Sequence, residues 1–155
     1  MNTQRYTPSQ ALQKIRQFCA YQERSHTEVE NKLYVYGLTT NETGDIISKM
    51  IDENFLNEER FAIQFAGGKF RIKKWGRIKI KHELLQKGVS IYCIKKALSL
   101  INHVDYNAAF NKLAQLKLLS LKSEKNIFIK KRKLHDHLLA KGYERELIRQ
   151  LTNSL

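Results

Sequence analysis

Between Lys69 and Lys96 the chain carries ten lysines and arginines against one acid, Glu83. Side chains of that kind at that density hold polyanions through charge-assisted contacts, and they do not by themselves make or break a covalent bond. Lys74, Arg77 and Lys81 have i, i+3, i+7 spacing, which on a continuous helix lines them along one face. Like charges stacked in that way repel one another unless an anion satisfies them. Lys130, Lys131, Arg132 and Lys133, with Lys122 and Lys125 just ahead, extend the basic surface. Aromatic residues interleaved with such bases are what a single-stranded nucleic acid stacks upon. Of the three that lie here, Phe70 and Tyr92 read as core, and Trp75, beside Gly76, suits either role.

Residue types that do chemistry are present but not in chemical patterns. His135 and His137 are two apart and cannot share a helical face, which argues against a metal site. Cys19 and Cys93 stand alone at apolar helical positions, as buried free thiols do, and imply no disulfide framework. Gly67 and Gly68 lack the Lys-Ser or Lys-Thr pair of a phosphate-cradling loop, and there is no nucleophile elbow or paired-carboxylate motif. The expectation is a binding protein with no catalytic residue, no metal and no cofactor.

The charge is polarised along the chain. Residues 1–60 hold nine acids and seven bases, and the remainder six acids and 21 bases, so segments of −2 and +15 make up the net +13. The bland alternative is a solvated, lysine-rich surface produced by compositional drift. Drift would have raised the first sixty residues as well.

The elements that must present these charges are helices. The chain has one proline, Pro8, and seven glycines, and its apolar residues recur at spacings of three and four, as in Leu12, Ile15, Cys19 and Val29, Leu33, Tyr36. RIKKWGRIKI alternates briefly, but it continues in phase into HELLQKG and is expected to be helical. A threefold repeat organises the whole. Gly37, Gly88 and Gly142 each follow a leucine by four residues (Leu33, Leu84, Leu138) and an apolar residue by eight (Val29, Ile80, Leu134). Each glycine is expected to end a helix in the left-handed conformation. After each comes an amphipathic segment: Ile46, Ile47, Met50, Ile51, then Ile91, Ile94, Leu98, then Leu147, Ile148, Leu151. Before each glycine-ended helix lies another, over residues 9–22, 57–70 and 105–121.

Start signals mark the same boundaries: Ser25 with Glu28, Thr39 with Glu42, Asn57, Ser90 and Asp105. The expected architecture is all-α, a tandem array of three three-helix repeats at 8–54, 55–103 and 104–155, with a disordered N-terminus over 1–7. The second and third repeats are basic. No apolar run is long enough to span a bilayer and no leader is evident, so a soluble, cytoplasmic protein is expected. The polar balance gives no reason for an obligate dimer, and a monomer is expected.

The segments ALQKIRQFCAYQERSHTEVENKLYVYGL (11–38) and IDENFLNEERFAIQFAGGKFRIKKWGRIKIKHELLQKGVS (51–90) resemble the RecX family, bacterial regulators of the RecA recombinase. The most specific stretches are Phe55, Leu56, Glu59, Arg60, Phe61, Ala62 and Gly76, Ile80, Glu83, Leu84, Lys87, Gly88. The third repeat carries a weaker LLAKGY echo. The resemblance implies an elongated, curved array of three-helix repeats that lodges in the groove of the RecA filament on single-stranded DNA. It implies that the protein limits filament extension and so restrains recombination, DNA repair and the SOS response. Carried onto this chain, it assigns partner or DNA binding to Lys69, Arg71, Lys73, Lys74, Arg77, Lys79 and Lys81, with Lys130, Lys131, Arg132 and Lys133 second. Glu59 and Arg60 read instead as structural, starting a helix and tying two repeats together. Two rival classes stand beside this reading: a general basic helical DNA-binding protein that acts without a recombinase, and a helical adaptor whose basic surface is incidental.

Overall fold

In the computed structural model, which describes residues 5–155, the chain forms helices joined by short connections, with no strand among the described residues. They are α1 (Pro8–Tyr21), α2 (His26–Val35), α3 (Thr40–Asp52), α4 (Glu58–Lys73), α5 (Arg77–Gln86), α6 (Ile91–Ser99), α7 (His103–Ser120), α8 (Ile127–Ala140) and α9 (Arg145–Asn153). Two compact units emerge. One holds the chain up to Gln64 with Leu84–Lys96, and the other holds Phe65–Glu83 with Ala97–Leu155. The expected second repeat, 55–103, is therefore divided between the two.

Helix starts follow local chemistry. The Thr39 hydroxyl accepts from the Glu42 N–H while the Glu42 carboxylate accepts from the Thr39 N–H, a complete capping box at α3. Those bonds from Thr39 are the main reason that the Glu42 carboxyl is held below its ordinary range. Ser25 accepts from the Glu28 N–H at 3.1 Å, and Asn57 from the Arg60 N–H at 2.8 Å. Asp105 does not cap α7 as expected. Asn102 does, accepting from the N–H groups of Val104 and Asp105, and Asp105 falls in the first turn where its charge still suits the helix dipole.

Of the expected disordered stretch 1–7, residues 1–4 lie outside the described ones. For Tyr6 and Thr7 the expectation is corrected. Tyr6 donates its N–H to the Tyr36 carbonyl at 2.9 Å, and Thr7 with Gln10 makes a capping box ahead of Pro8, whose missing N–H is no loss at a helix start.

The three glycine stops are alike. Gly37, Gly88 and Gly142 have φ of +90°, +78° and +94°. At each, the glycine N–H bonds to the carbonyl three residues back, and the next N–H to the carbonyl five back: Leu38 to Leu33, Val89 to Leu84, Tyr143 to Leu138. This is the Schellman closure, and the residue after the glycine is apolar and buried each time. Asn54 ends α3 similarly at φ +62°, with the Phe55 N–H reaching the Met50 carbonyl.

In the first unit the core gathers Ala11, Ile15, Cys19, Val29, Leu33, Leu38, Ile46, Met50 and Leu56, where α1, α2 and α3 pack together. Burial pushes the Cys19 thiol up to about 11, so at neutral pH it is a protonated core residue and a poor nucleophile. Arg60 closes this unit. It donates from Nε to Glu23 and from Nη1 and Nη2 to the Asn54 side chain and carbonyl, which joins the start of α4 to the segments after α1 and α3. In the second unit Phe70, Tyr106, Phe110 and Tyr143 form a ring cluster with neighbouring centroids 5.1–5.8 Å apart, and Ile80, Leu134, Leu138 and Ile148 are also buried.

Gly142 bears two constraints at once, its positive φ and a position where a Cβ would stand 2.7 Å from the Lys79 backbone nitrogen. Gly142→Ala should therefore destabilise the protein by about 2 kcal/mol or more. Gly44 lies in α3, where an added Cβ would meet nothing within 4 Å. Gly44→Ala should stabilise by roughly 0.5–1 kcal/mol. Urea unfolding of both variants measures the two signs.

Candidate nucleic-acid interface

All eleven expected binding residues fall in the second unit. Lys69, Arg71 and Lys73 occupy the last turns of α4, Arg77, Lys79 and Lys81 occupy α5, and Lys130, Lys131, Arg132 and Lys133 occupy α8. Arg71, Lys73, Lys74, Lys81 and Arg132 are exposed, and none has an acidic partner among the described residues. Lys133 is exposed and stands 3.9 Å from Glu124. Lys69, Lys79, Lys130 and Lys131 are half-buried.

The expected strip of Lys74, Arg77 and Lys81 does not form one helix face, because the helix expected through RIKKWGRIKI is broken. α4 ends at Lys73, Lys74 turns left-handed at φ +58°, and α5 begins only at Arg77. The break is held from outside the segment. Tyr143 Oη donates to the Lys74 carbonyl at 2.8 Å, the Gly76 N–H donates to the Lys141 carbonyl at 2.8 Å, and the Ile78 N–H donates to the Gly142 carbonyl at 2.9 Å. Gly76 fits because a Cβ there would lie 2.3 Å from that carbonyl oxygen. One signal in the sequence pointed to this. When the repeats are superposed on their glycines, Gly76 falls on Ser25, the residue that caps α2.

Arg77 is the second correction, since its guanidinium is committed inside the unit rather than offered to a ligand. Nη1 donates to Glu144 Oε2 at 2.9 Å, Cζ stacks 3.8 Å from the Tyr106 ring centroid, and Nη2 is 3.3 Å from His103 Nδ1. Its backbone N–H donates to Tyr106 Oη at 3.0 Å, and that hydroxyl donates to Glu144 Oε1. Burial, then the bond to the Glu144 carboxylate, pushes the Tyr106 hydroxyl far above its ordinary range, so it stays a donor at any physiological pH.

The aromatic residues divide. Phe70 is core, at 8% exposure. Tyr92, expected in the core, is 73% exposed, because α6 buries Cys93, Ile94 and Ala97 and position 92 lies off that stripe. Trp75 is half-buried with its ring edge-on to Phe65, and two ammonium groups stand over it, Lys69 Nζ at 5.0 Å and Lys79 Nζ at 4.6 Å from its centroid. Two like charges drawn to one ring gain cation–π attraction and leave a local excess of positive potential for an anion. Sequence reasoning missed Phe128, which is 80% exposed in the first turn of α8 next to the basic run 130–133. Its position two residues before Lys130 was the available signal.

Among the described residues, no three of His, Cys, Asp and Glu converge as a metal-holding group, and no helix is long and apolar enough to cross a membrane. His135 Nδ1 lies 3.2 Å from Asp136, and the His137 imidazole is held below its ordinary value by burial, then by Lys117 and Lys141.

Comparison with known proteins finds chains similar to this one. Residues 57–98 match the family model described as RecX, second three-helix domain. A regulatory protein RecX of Clostridium perfringens is 33% identical over 136 residues, covering 84% of this chain. The chain spans 63% of the length of that relative. A regulatory protein RecX of Prosthecochloris aestuarii is 29% identical over 147 residues, covering 94% of this chain and 93% of its own. The crystal structure of RecX from Lactobacillus salivarius superposes with a TM-score of 0.83 at 26% identity, covering 96% of both chains. Another regulatory protein RecX structure shares the fold at TM-score 0.84 with 17% identity, covering 96% of this chain and 72% of that one.

The geometry separates the cations by role. Arg77→Ala removes the ion pair to Glu144 and the stacking on Tyr106, and should cost on the order of 2 kcal/mol of stability. Lys81→Ala, at an exposed position, should change it by less than about 0.5 kcal/mol. Thermal melts of the two variants side by side make the comparison.

Proposed function

The chain belongs to the RecX family, and we propose that it is a regulatory, mainly inhibitory protein that binds the RecA filament on single-stranded DNA and limits its extension and activity. In that role it modulates recombination, DNA repair and the SOS response, acting as a cytoplasmic monomer without a cofactor. The observation that carries this reading is a set of exposed cations without acidic partners among the described residues, Arg71, Lys73, Lys74 and Lys81 on and between α4 and α5, and Arg132 on α8. Lys69 and Lys79 add half-buried charge over Trp75. Lys130, Lys131 and Lys133 are assigned to partner or DNA binding with them. Arg77 instead ties the start of α5 to Glu144.

Charge of this kind speeds encounter with an acidic filament groove and falls off with salt. Several weak contacts spread over neighbouring filament subunits add through avidity, so no single contact need be strong. A general DNA-binding protein uses the same cations on phosphates alone, and stoichiometry distinguishes the two.

DNA-dependent ATP hydrolysis by the cognate RecA on single-stranded DNA should be inhibited by this protein at substoichiometric amounts. Inhibition only when the protein covers the DNA would favour the general binder. Replacing Lys73, Lys74 and Lys81 together by Glu should abolish inhibition while helical content and melting stay those of the parent. Full inhibition by that folded variant would sink the assignment. On single-stranded DNA alone, Lys81→Ala should reduce the salt slope of binding by about one counterion. Arg60→Ala should leave that slope unchanged while lowering the melting temperature, because its partners Glu23 and Asn54 lie in the first unit.

A further inference from the structure

The second unit contains a groove of about 490 Å³ lined by α4 and α7. From α7 come the apolar Ala108, Ala109, Leu113 and Leu116 and the charged Lys112 and Asp105. From α4 and its end come Phe70, Arg71 and Lys74. The α7 residues fall at i, i+3, i+4, i+7, i+8 and i+11 from Asp105, one face of a helix. That face is distinct from the one carrying Tyr106, Phe110 and Ala114, which is buried. α7 is thus apolar on two sides, one used by the core and one open, with Leu116 55% exposed.

We propose that this groove docks an acidic amphipathic helix of a partner protein, with one or two large apolar side chains seated on its apolar residues and carboxylates facing its cations. Three cations, Arg71, Lys74 and Lys112, line the groove together with its apolar residues and have no acidic partner among the described residues, against a single lining acid, Asp105. Carboxylates brought to those cations form charge-assisted bonds where the neighbouring dielectric is low. A nucleic acid fits the groove poorly. Stacking needs an open ring face, and Phe70, the one ring here, is buried. A helix fits better than a strand, because among the described residues there is no sheet edge to extend and the open face is a trough beside a helix. From Asp105 to Leu116 the trough runs about three helical turns, which sets the length of the segment it takes. Any acidic amphipathic helix of that length meets these terms, whichever protein supplies it.

The probe is a fluorescein-labelled synthetic helix of about three turns, with Leu at i, i+4 and i+7 and Glu on its flanks, titrated into the full chain and read by anisotropy. Saturable binding is expected, together with shifts of the Ala108 and Ala109 methyl resonances. Lys112→Glu and Leu116→Glu, both at exposed positions, should each weaken it about tenfold, as loss of a facing charge or anchor does, with melting unchanged. A scrambled peptide of the same composition should bind no better than those variants. Absence of saturable binding, equal binding of the scrambled peptide, or full affinity in both variants overturns the proposal. So does an oligothymidylate that shifts the two alanine methyls when the peptide does not, which would assign the groove to nucleic acid.

Discussion

A left-handed glycine corner packed against the start of the preceding repeat's glycine-ended helix is the contact on which the rest of this structure depends. In the first unit Thr27, near the start of α2, donates its hydroxyl to the Lys87 carbonyl at 3.0 Å beside Gly88. In the second unit Ile78, near the start of α5, donates its N–H to the Gly142 carbonyl at 2.9 Å, and Lys79 lies where a Cβ on Gly142 would be. Thr27 and Ile78 each precede the glycine of their own helix by ten residues. The corner of one repeat thus meets the same register of the repeat before it, in each unit taken separately. Side chains there are free to vary only if they point away from the corner, because a hydroxyl in one unit and a backbone N–H in the other already occupy it.

That freedom explains how one scaffold carries two kinds of surface. In the first unit Glu28 pairs with Lys87 at 3.5 Å across the corner. The corresponding residues of the second unit are Lys79 and Lys141, both cations, so the ion pair has no counterpart there. Lys79 turns to the face of Trp75 instead. An exposed or half-exposed ion pair contributes little to stability, so its replacement by a repulsive pair is tolerable where apolar packing and backbone bonds hold the corner. The excess charge then becomes available to a ligand.

Much of the scaffold was legible because it rests on signals internal to the chain. The glycines, the leucines four residues ahead of them and the cap at Thr39 each act over one or two turns, and each was found where its local chemistry put it. The errors came from contacts made at long range. The left-handed position falls on Lys74 and not on the glycine two residues later, and Tyr143, 69 residues away, holds it there. Arg77 looked like a member of a binding strip, since nothing in its own helix shows Glu144 or Tyr106. In α6 the apolar face expected through Ile91, Ile94 and Leu98 is instead Cys93, Ile94 and Ala97, with Ile91 half exposed. Nine residues with six apolar among them leave the helical phase underdetermined, and tertiary packing decides it.

The distribution of the two basic residue types follows a physical division of labour. Among the described residues the closest pairs with carboxylates are made by arginine: Arg16 with Glu53 at 2.7 Å, Arg77 with Glu144 at 2.9 Å, Arg149 with Glu146 at 2.8 Å, and Arg60 with Glu23, although Arg5 stands 3.4 Å from Glu42. Lysine pairs are looser, at 3.5 Å for Lys87 and 3.9 Å for Lys133. A planar guanidinium presents several donors in a fixed fork and can stack on a ring while it bonds, as Arg77 does on Tyr106. An ammonium on a flexible stem loses more freedom for each bond and stays hydrated, which makes it a weak structural tie but an adaptable point charge. Of the eleven cations assigned to the interface, eight are therefore usefully lysine, and the arginine most firmly bound within the unit, Arg77, acts by fixing where α5 begins. Exposed cations that carry no structural tie, such as Arg71, Lys73, Lys74 and Lys81, can reorient without disturbing the helices that bear them.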